Sequence, residues 1–338
     1  MRSSPRLSRA LAVAVGSLAL VVLVAAASRA QDGASSPAAG GPRSEVVDAA
    51  RLLGDLEALS ADEMQGRRTG TEGGAKARAY IVEAFRRRGV QAFGGGYLEP
   101  FAFEHGGQTY QANNVVGFVA GKSKGGRCLV VSAHYDHLGV VNGETYNGAD
   151  DNASGVAALL ALAEYFAKRR PAHTIVFAAF DAEELGLRGS QQFVAAPPVA
   201  LSEIAADVNL DMVSHNDRNE LYAAGAHASP FLKPYLDRVA ARASVRLIEG
   251  HDDPKLGHDD WTMQSDQGAF YKAGVPFVYF GVEDHKDYHK PSDKFASMNQ
   301  AFFVRATETV LSTVRLLDKN LDKLPPRAAT EKAGAEKQ

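Results

Sequence analysis

The chain has 338 residues, 45% of them apolar and 23% charged, which is room for one large or two small globular domains. A formal net charge of −3 supplies no basic field for nucleic acid or anionic lipid. The single cysteine, Cys128, excludes an intrachain disulfide, and its place in an apolar run reads as a small buried side chain.

At the N-terminus, Arg2, Arg6 and Arg9 precede an uncharged run from Ala10 to Ala27. Ser28-Arg29-Ala30 then offers small residues at the two positions a signal peptidase reads. Residues 1–30 are read as a cleaved signal peptide. The competing reading is an uncleaved anchor, because the run is near the length that spans a bilayer. Residues 31–43 predict a disordered linker by composition, 44–321 the folded domain, and 322–338 a loose charged tail. The folded domain is expected outside the cytoplasm, periplasmic or extracellular, without membrane contact once the signal is removed.

Apolar spacing at Val46, Ala50, Leu53, Leu56 and Leu59 predicts a helix over 45–60. Gly66 to Thr71 reads as a polar loop. A second helix runs from 74 to 88, with Ala77, Ile81, Ala84 and Phe85 on one face, and stops at Gly89. Residues 97–104 and 114–120 read as strands. From 127 the pattern alternates. Cys128–Ala133, Thr174–Phe180, Ala205–Met212 and Val275–Phe280 are short apolar runs, as in strands buried on both faces, and Leu221–Ala224 is a further short strand. Helices are predicted over 155–167, 188–195, 230–242 and 301–317. The alternation predicts an α/β domain: three layers, a mostly parallel sheet with helices on both faces. Residues 249–270, with the only Trp, lack a period and read as a loop excursion of the kind that borders a cleft.

His134 follows the first of these runs, Glu183 and Glu184 the second, and Asp211 ends the third. His289 follows the last. Asp151 precedes the long helix, whose N-terminus favours a negative group. Open α/β sheets bind ligands at these carboxyl ends. Singly, each residue has an ordinary reading: a surface His, a solvated Glu pair, an N-cap Asp. Together they crowd carboxylates that repel one another and resist ionisation, a conflict that a bound cation removes. Imidazole and carboxylate are ligands of hydrolytic zinc.

Five ordered segments carry a resemblance. They are His134-Tyr135-Asp136, Gly148 to Gly155 (Gly-Ala-Asp-Asp-Asn-Ala-Ser-Gly), Ala182 to Ser190, Leu210-Asp211-Met212, and Asp287 to Asp293. Over roughly residues 45–320 the chain resembles the dizinc aminopeptidases of metallopeptidase family 28, clan MH. The resemblance implies two zinc ions bridged by Asp151, with a cis peptide to Asn152. His134 and Asp211 complete one zinc, Glu184 and His289 the other, and Glu183 is the general base. It also implies that Asp136 orients His134 and that Asp293 supports the His289 loop. The implied substrates are peptides with a free N-terminus, and the oligomeric state is left open.

The sequence departs from the family at Ser265-Asp266-Gln267, where relatives carry Ser-Asp-His, and at Lys294, where Thr is common. Gln267, His258 and Tyr288 stand as candidate donors to the substrate oxyanion. His137 and His285 neighbour the ligands and stand as candidates to support them, the alternative being a structural or surface role. His105, His173, His215, His227 and His251 are expected to be structural or on the surface. Two alternatives remain: a single-zinc enzyme resembling glutaminyl cyclases, and a peptide-binding homologue without catalysis.

Overall fold

A computed structural model describes residues 42–325. The predicted signal peptide, nearly all of the linker and the tail beyond 325 lie outside the described residues. In chain order the elements are α1 (Ala49–Leu59), α2 (Glu72–Arg88), β1 (Gln91–Ala92), β2 (Leu98–His105), β3 (Gln108–Val119), β4 (Cys128–His134), β5 (Gly139–Val141), β6 (Glu144–Tyr146), α3 (Gly155–Lys168), β7 (Thr174–Phe180), α4 (Arg188–Ala195), β8 (Ile204–Leu210), β9 (Glu220–Ala224), α5 (Lys233–Ala240), β10 (Arg246–Glu249), α6 (Gln267–Lys272), β11 (Phe277–Gly281) and α7 (Gln300–Asn320).

One sheet runs β1-β3-β7-β4-β8-β11-β9-β10, with β2 added on β3. Its centre, β7-β4-β8-β11, is parallel. Antiparallel joints flank it, β3 on β7 and β9 on β11, so the sheet as a whole is mixed. The α/β reading holds, and the buried apolar runs are the parallel centre, as expected where both faces are covered.

Side-chain alternation assigns the two faces. Leu129, Val131 and Ala133 of β4 join a cluster with Leu52, Leu56, Ile81, Phe85, Leu159 and Phe303 from α1, α2, α3 and α7. Cys128 and Val130 point the other way, onto Phe193 of α4 and Phe270 of α6. Helices therefore cover both faces. α3 lies deep in the stack, with Leu159, Leu160 and Leu162 without exposed surface; burying each such side chain contributes roughly 1.5–3 kcal/mol. Helix ends follow local chemistry: Thr71 accepts from the Gly74 N–H at the start of α2, and Gly89 closes it at φ 77°.

Two boundaries move. The predicted tail begins too early, because Leu321 and Leu324 are buried and Arg127 Nη1 donates to the Leu324 carbonyl at 2.9 Å. The 249–270 excursion is a chain of short 3-10 turns, Pro254–Asp259 and Trp261–Met263, leading into α6. His251 stacks on Trp261 there, ring centroids 3.6 Å apart.

Candidate metal centre

The central strands end on one rim, and the chain turns sharply there. Ala182 (φ 59°), Met212 (φ 61°) and His289 (φ 52°) all adopt left-handed backbone, at roughly 1–2 kcal/mol each for a residue with a Cβ. These turns aim Glu183, Asp211 and the His289 ring inward instead of along the strands. Asp151 sits in the turn before α3, and the Asp151–Asn152 peptide is cis, as the resemblance implies. Asn152 Nδ2 donates to the Leu210 carbonyl at 2.9 Å, and its Oδ1 accepts from the N–H groups of Gly155 and Met212. The start of α3 is thereby stapled to the end of β8. Gly148, at φ +55°, permits the turn: a Cβ there would lie 2.0 Å from the Asp151 carbonyl and 2.5 Å from the His137 ring.

The predicted ligands come together around the Asp151 carboxylate. Asp151 Oδ1 lies 3.4 Å from His134 Nε2, which is 3.3 Å from Asp211 Oδ1. Asp151 Oδ2 lies 3.0 Å from His289 Nε2, which is 3.6 Å from Glu184 Oε1. His137 joins this second group, with Nδ1 2.8 Å from Glu184 Oε1 and 3.6 Å from Asp151 Oδ2. Ligand atoms of His134, Asp151 and Asp211 lie within 4.8 Å of one another, as do those of His137, Asp151 and Glu184. Asp151 belongs to both sets, one oxygen facing each.

The electrostatics are those of a site short of positive charge. Burial opposes a charge on His134, yet Asp211 and Glu183 raise its proton affinity well above the ordinary imidazole value. Burial likewise opposes His289, but hydrogen bonds to Asp151 and Glu184 push it up to about 10. Burial raises Asp151, and the nearby Glu184 adds to this. Burial also pushes Glu184 up, but hydrogen bonds from His137 and His289 hold it well below the usual carboxylate range. The carboxylates thus draw protons onto His134 and His289 where no cation is bound, and a metal ion would take the place of those protons. The nitrogen and oxygen donors, mostly buried, with the His289 side chain 38% exposed, and paired across Asp151, fit zinc.

Supporting groups differ in part from expectation. Asp136 does not hold His134 chiefly through its carboxylate, which stands 3.7 Å from Nδ1; the Asp136 carbonyl is nearer, at 3.2 Å. Its carboxylate instead accepts from the Glu183 and Glu184 N–H groups, at 3.0 and 3.3 Å, and so sets the Glu-Glu turn. Asp293, expected to support the His289 loop, donates its N–H to the Lys290 carbonyl at 3.0 Å within that loop, and its carboxylate reaches further. It accepts from the Asp150 and Asp151 N–H groups at 3.0 and 3.1 Å, because backbone donors entering a helix need an acceptor. His285 Nε2 contacts Asp150 at 3.1 Å.

Of the candidate oxyanion donors, Gln267 is committed elsewhere: Oε1 accepts from Asn209 and Nε2 donates to the Trp261 carbonyl. His258 lies exposed on a 3-10 turn. Tyr288 stacks on His289, centroids 3.9 Å apart. Burial and the nearby Asp151 and Asp211 raise its proton affinity far above the usual phenol value, so the hydroxyl keeps its proton.

Sequence reasoning missed Arg67, placed in a polar loop. It has no exposed surface. Its guanidinium donates to the carbonyls of Tyr135, Leu59 and Gly148, each at 2.8 Å, clamping the two loops that carry His137 and Asp151. Burial lowers it to about 10, while Asp151, Asp293 and Asp136 oppose the shift, so it remains a cation at neutral pH. One Arg among polar neighbours gave no signal. His137, three positions after His134, could have been found by asking which residue completes the second set.

The profile of peptidase family M28 matches residues 114–314, which contain every predicted ligand. The chain belongs to peptidase family M28. A probable zinc metalloprotease of Pyricularia oryzae is 39% identical over 157 residues, 44% of this chain and 30% of that protein. A vacuolar membrane protease of Clavispora lusitaniae is 30% identical over 197 residues, 56% of this chain and 17% of that protein. The match therefore spans well under half the length of either relative. A zinc aminopeptidase from Bacillus subtilis shares the fold, with TM-score 0.64 and 17% identity over 80% of this chain and 96% of that one. A glutaminyl cyclase from Porphyromonas gingivalis does too, with TM-score 0.65 and 19% identity over 80% and 99%. No helix among the described residues is long and apolar enough to cross a membrane.

Proposed function

We propose that the protein is a zinc-dependent aminopeptidase that removes N-terminal residues from peptides. The observation that carries this reading is the sharing of Asp151 between two ligand sets, one oxygen facing each. His134 and Asp211 complete one zinc site, Glu184 and His289 the other, with His137 beside the second. Zinc bound there supplies Lewis acidity, which polarises a carbonyl and acidifies water.

The chain's own groups do the rest. Burial raises the proton affinity of Glu183 well above the carboxylate norm, and Asp211, Asp266 and Glu184 add to the shift against the pull of His134. In this reading Glu183, next in sequence to the ligand Glu184, is the general base that takes a proton from the attacking water and returns it to the leaving amine; its raised proton affinity suits the second of these steps. Asp136 fixes the Glu183 backbone in place. Tyr288, protonated and beside His289, donates to the developing oxyanion. The carboxylates of Asp151, Glu184 and Asp211 attract the substrate's α-ammonium, a charge that interior peptide bonds lack. The N-terminal run from Ala10 to Ala27 supports export.

Two ligand sets favour this over a single-zinc cyclase. The test uses the zinc-loaded protein with a peptide and its N-acetylated twin. Release of the first residue from the free peptide alone is expected. Equal cleavage of both, or cyclisation of an N-terminal Gln without cleavage, contradicts it.

A further inference from the structure

His215 and Asp287 each keep one polar atom without a partner. His215 Nδ1 and Asp287 Oδ2 are buried and make no hydrogen bond among the described residues. They stand 4.0 Å apart, too far for a hydrogen bond. Asp287 is only 7% exposed. Its other oxygen, Oδ1, accepts from Ser292 Oγ at 2.8 Å, so Oδ2 is left over. Leaving a buried polar atom unpaired costs about 1–3 kcal/mol, and here two such atoms face one gap.

A third side chain borders it. The His285 ring stacks on His215, centroids 3.9 Å apart and planes at 22°. His285 Nε2 lies 3.1 Å from Asp150 Oδ2. That contact places the ring proton on Nε2 and makes Nδ1 the acceptor; Nδ1 accepts from the Asp287 N–H in a long 3.3 Å hydrogen bond, which a metal ion would replace. An imidazole anchored to a carboxylate through one nitrogen, with the other unprotonated, is how metal-ligating histidines are held. One ligand atom from each of His215, His285 and Asp287 lies within 4.8 Å of the other two.

We propose that His215, His285 and Asp287 bind a third divalent metal ion, separate from the centre around Asp151. Two imidazoles and one carboxylate suit a borderline first-row ion such as zinc and disfavour calcium or magnesium. None of the three belongs to the Asp151 sets. His215 follows β8 on the loop that begins with Asp211, and Asp287 precedes His289 on the loop after β11. The ion therefore ties together the two loops that carry a ligand for each half of the centre. Its role is to fix their spacing, and no catalytic step passes through it.

The full chain is loaded with zinc, freed of unbound metal, and its metal content counted by plasma mass spectrometry for wild type, His215→Ala and Asp287→Asn. Each variant is expected to hold one ion fewer than wild type; equal counts overturn the proposal. Because the readout is a difference between proteins, it stands however many ions the Asp151 centre holds. A crystal of the wild-type protein, recorded at the zinc absorption edge, decides the matter even if the variants fail to fold. An anomalous peak within about 2.0–2.2 Å of His215 Nδ1 and Asp287 Oδ2 is expected. A water there without anomalous signal overturns the site. Missing peaks around Asp151 bear instead on the proposed function.

Discussion

Glu183 and Glu184 are adjacent, yet their surroundings drive them apart. Glu184 is held low by hydrogen bonds from two imidazoles against its burial, as a ligand that must stay ionised. Glu183 is raised by burial and by surrounding carboxylates, as a group that must exchange a proton. Glu183→Gln keeps the shape and removes the proposed base. It is expected to retain wild-type zinc content and to lose turnover by about 10²–10⁴-fold, the contribution typical of a positioned acid–base group; metal counting alongside peptide hydrolysis reads both. A second carboxyl, Glu99 on β2, is raised to about 7 by burial alone. Its proton is held more tightly in the folded chain than in the unfolded one. The folded state therefore binds more protons between about pH 4.5 and 7, and stability falls as pH rises through that window. Glu99→Gln is expected to melt with wild type at pH 4 and above it at pH 8. Equal melting temperatures at pH 8 contradict the assignment.

At the scale of elements, legibility followed length and period. The strand Thr174–Phe180 and the helix Arg188–Ala195 emerge at their observed limits, because a continuous apolar run marks one and Pro197-Pro198 closes the other. The predicted ligands could be placed because each follows a recognisable strand or opens a helix. The strands β5 and β6, β10 and α6 span six residues or fewer apiece, too short to show a period, and went unread. Arg67, and the partners of Asp293, escaped for a different reason: what these residues hold is backbone on loops distant in sequence, and no spacing encodes that. The turn before α3 depends on Asp293 accepting the Asp150 and Asp151 N–H groups. Asp293→Ala leaves those buried donors without an acceptor. It is expected to cost about 1–3 kcal/mol in denaturant unfolding and to weaken zinc binding by roughly 10–100-fold. Asp293→Asn, which keeps an acceptor oxygen, is expected to do less on both counts. If zinc affinity is unchanged in Asp293→Ala, the turn does not set the position of Asp151.

For the whole molecule, the sheet topology gathers residues from 134 to 289 onto one rim. Four parallel strands end side by side there, so residues after each meet although far apart in the chain. Arg67, which stays a cation at neutral pH, offsets only part of the negative charge collected around Asp151, and imidazoles that take up a metal do so without their protons. Two divalent ions are proposed to supply the rest. Anomalous diffraction at the zinc edge from crystals of the zinc-loaded protein tests it most directly. Two peaks are expected flanking the Asp151 carboxylate, one by His134 and Asp211 and one by Glu184 and His289. A single peak at the carboxylate, or none, contradicts the account.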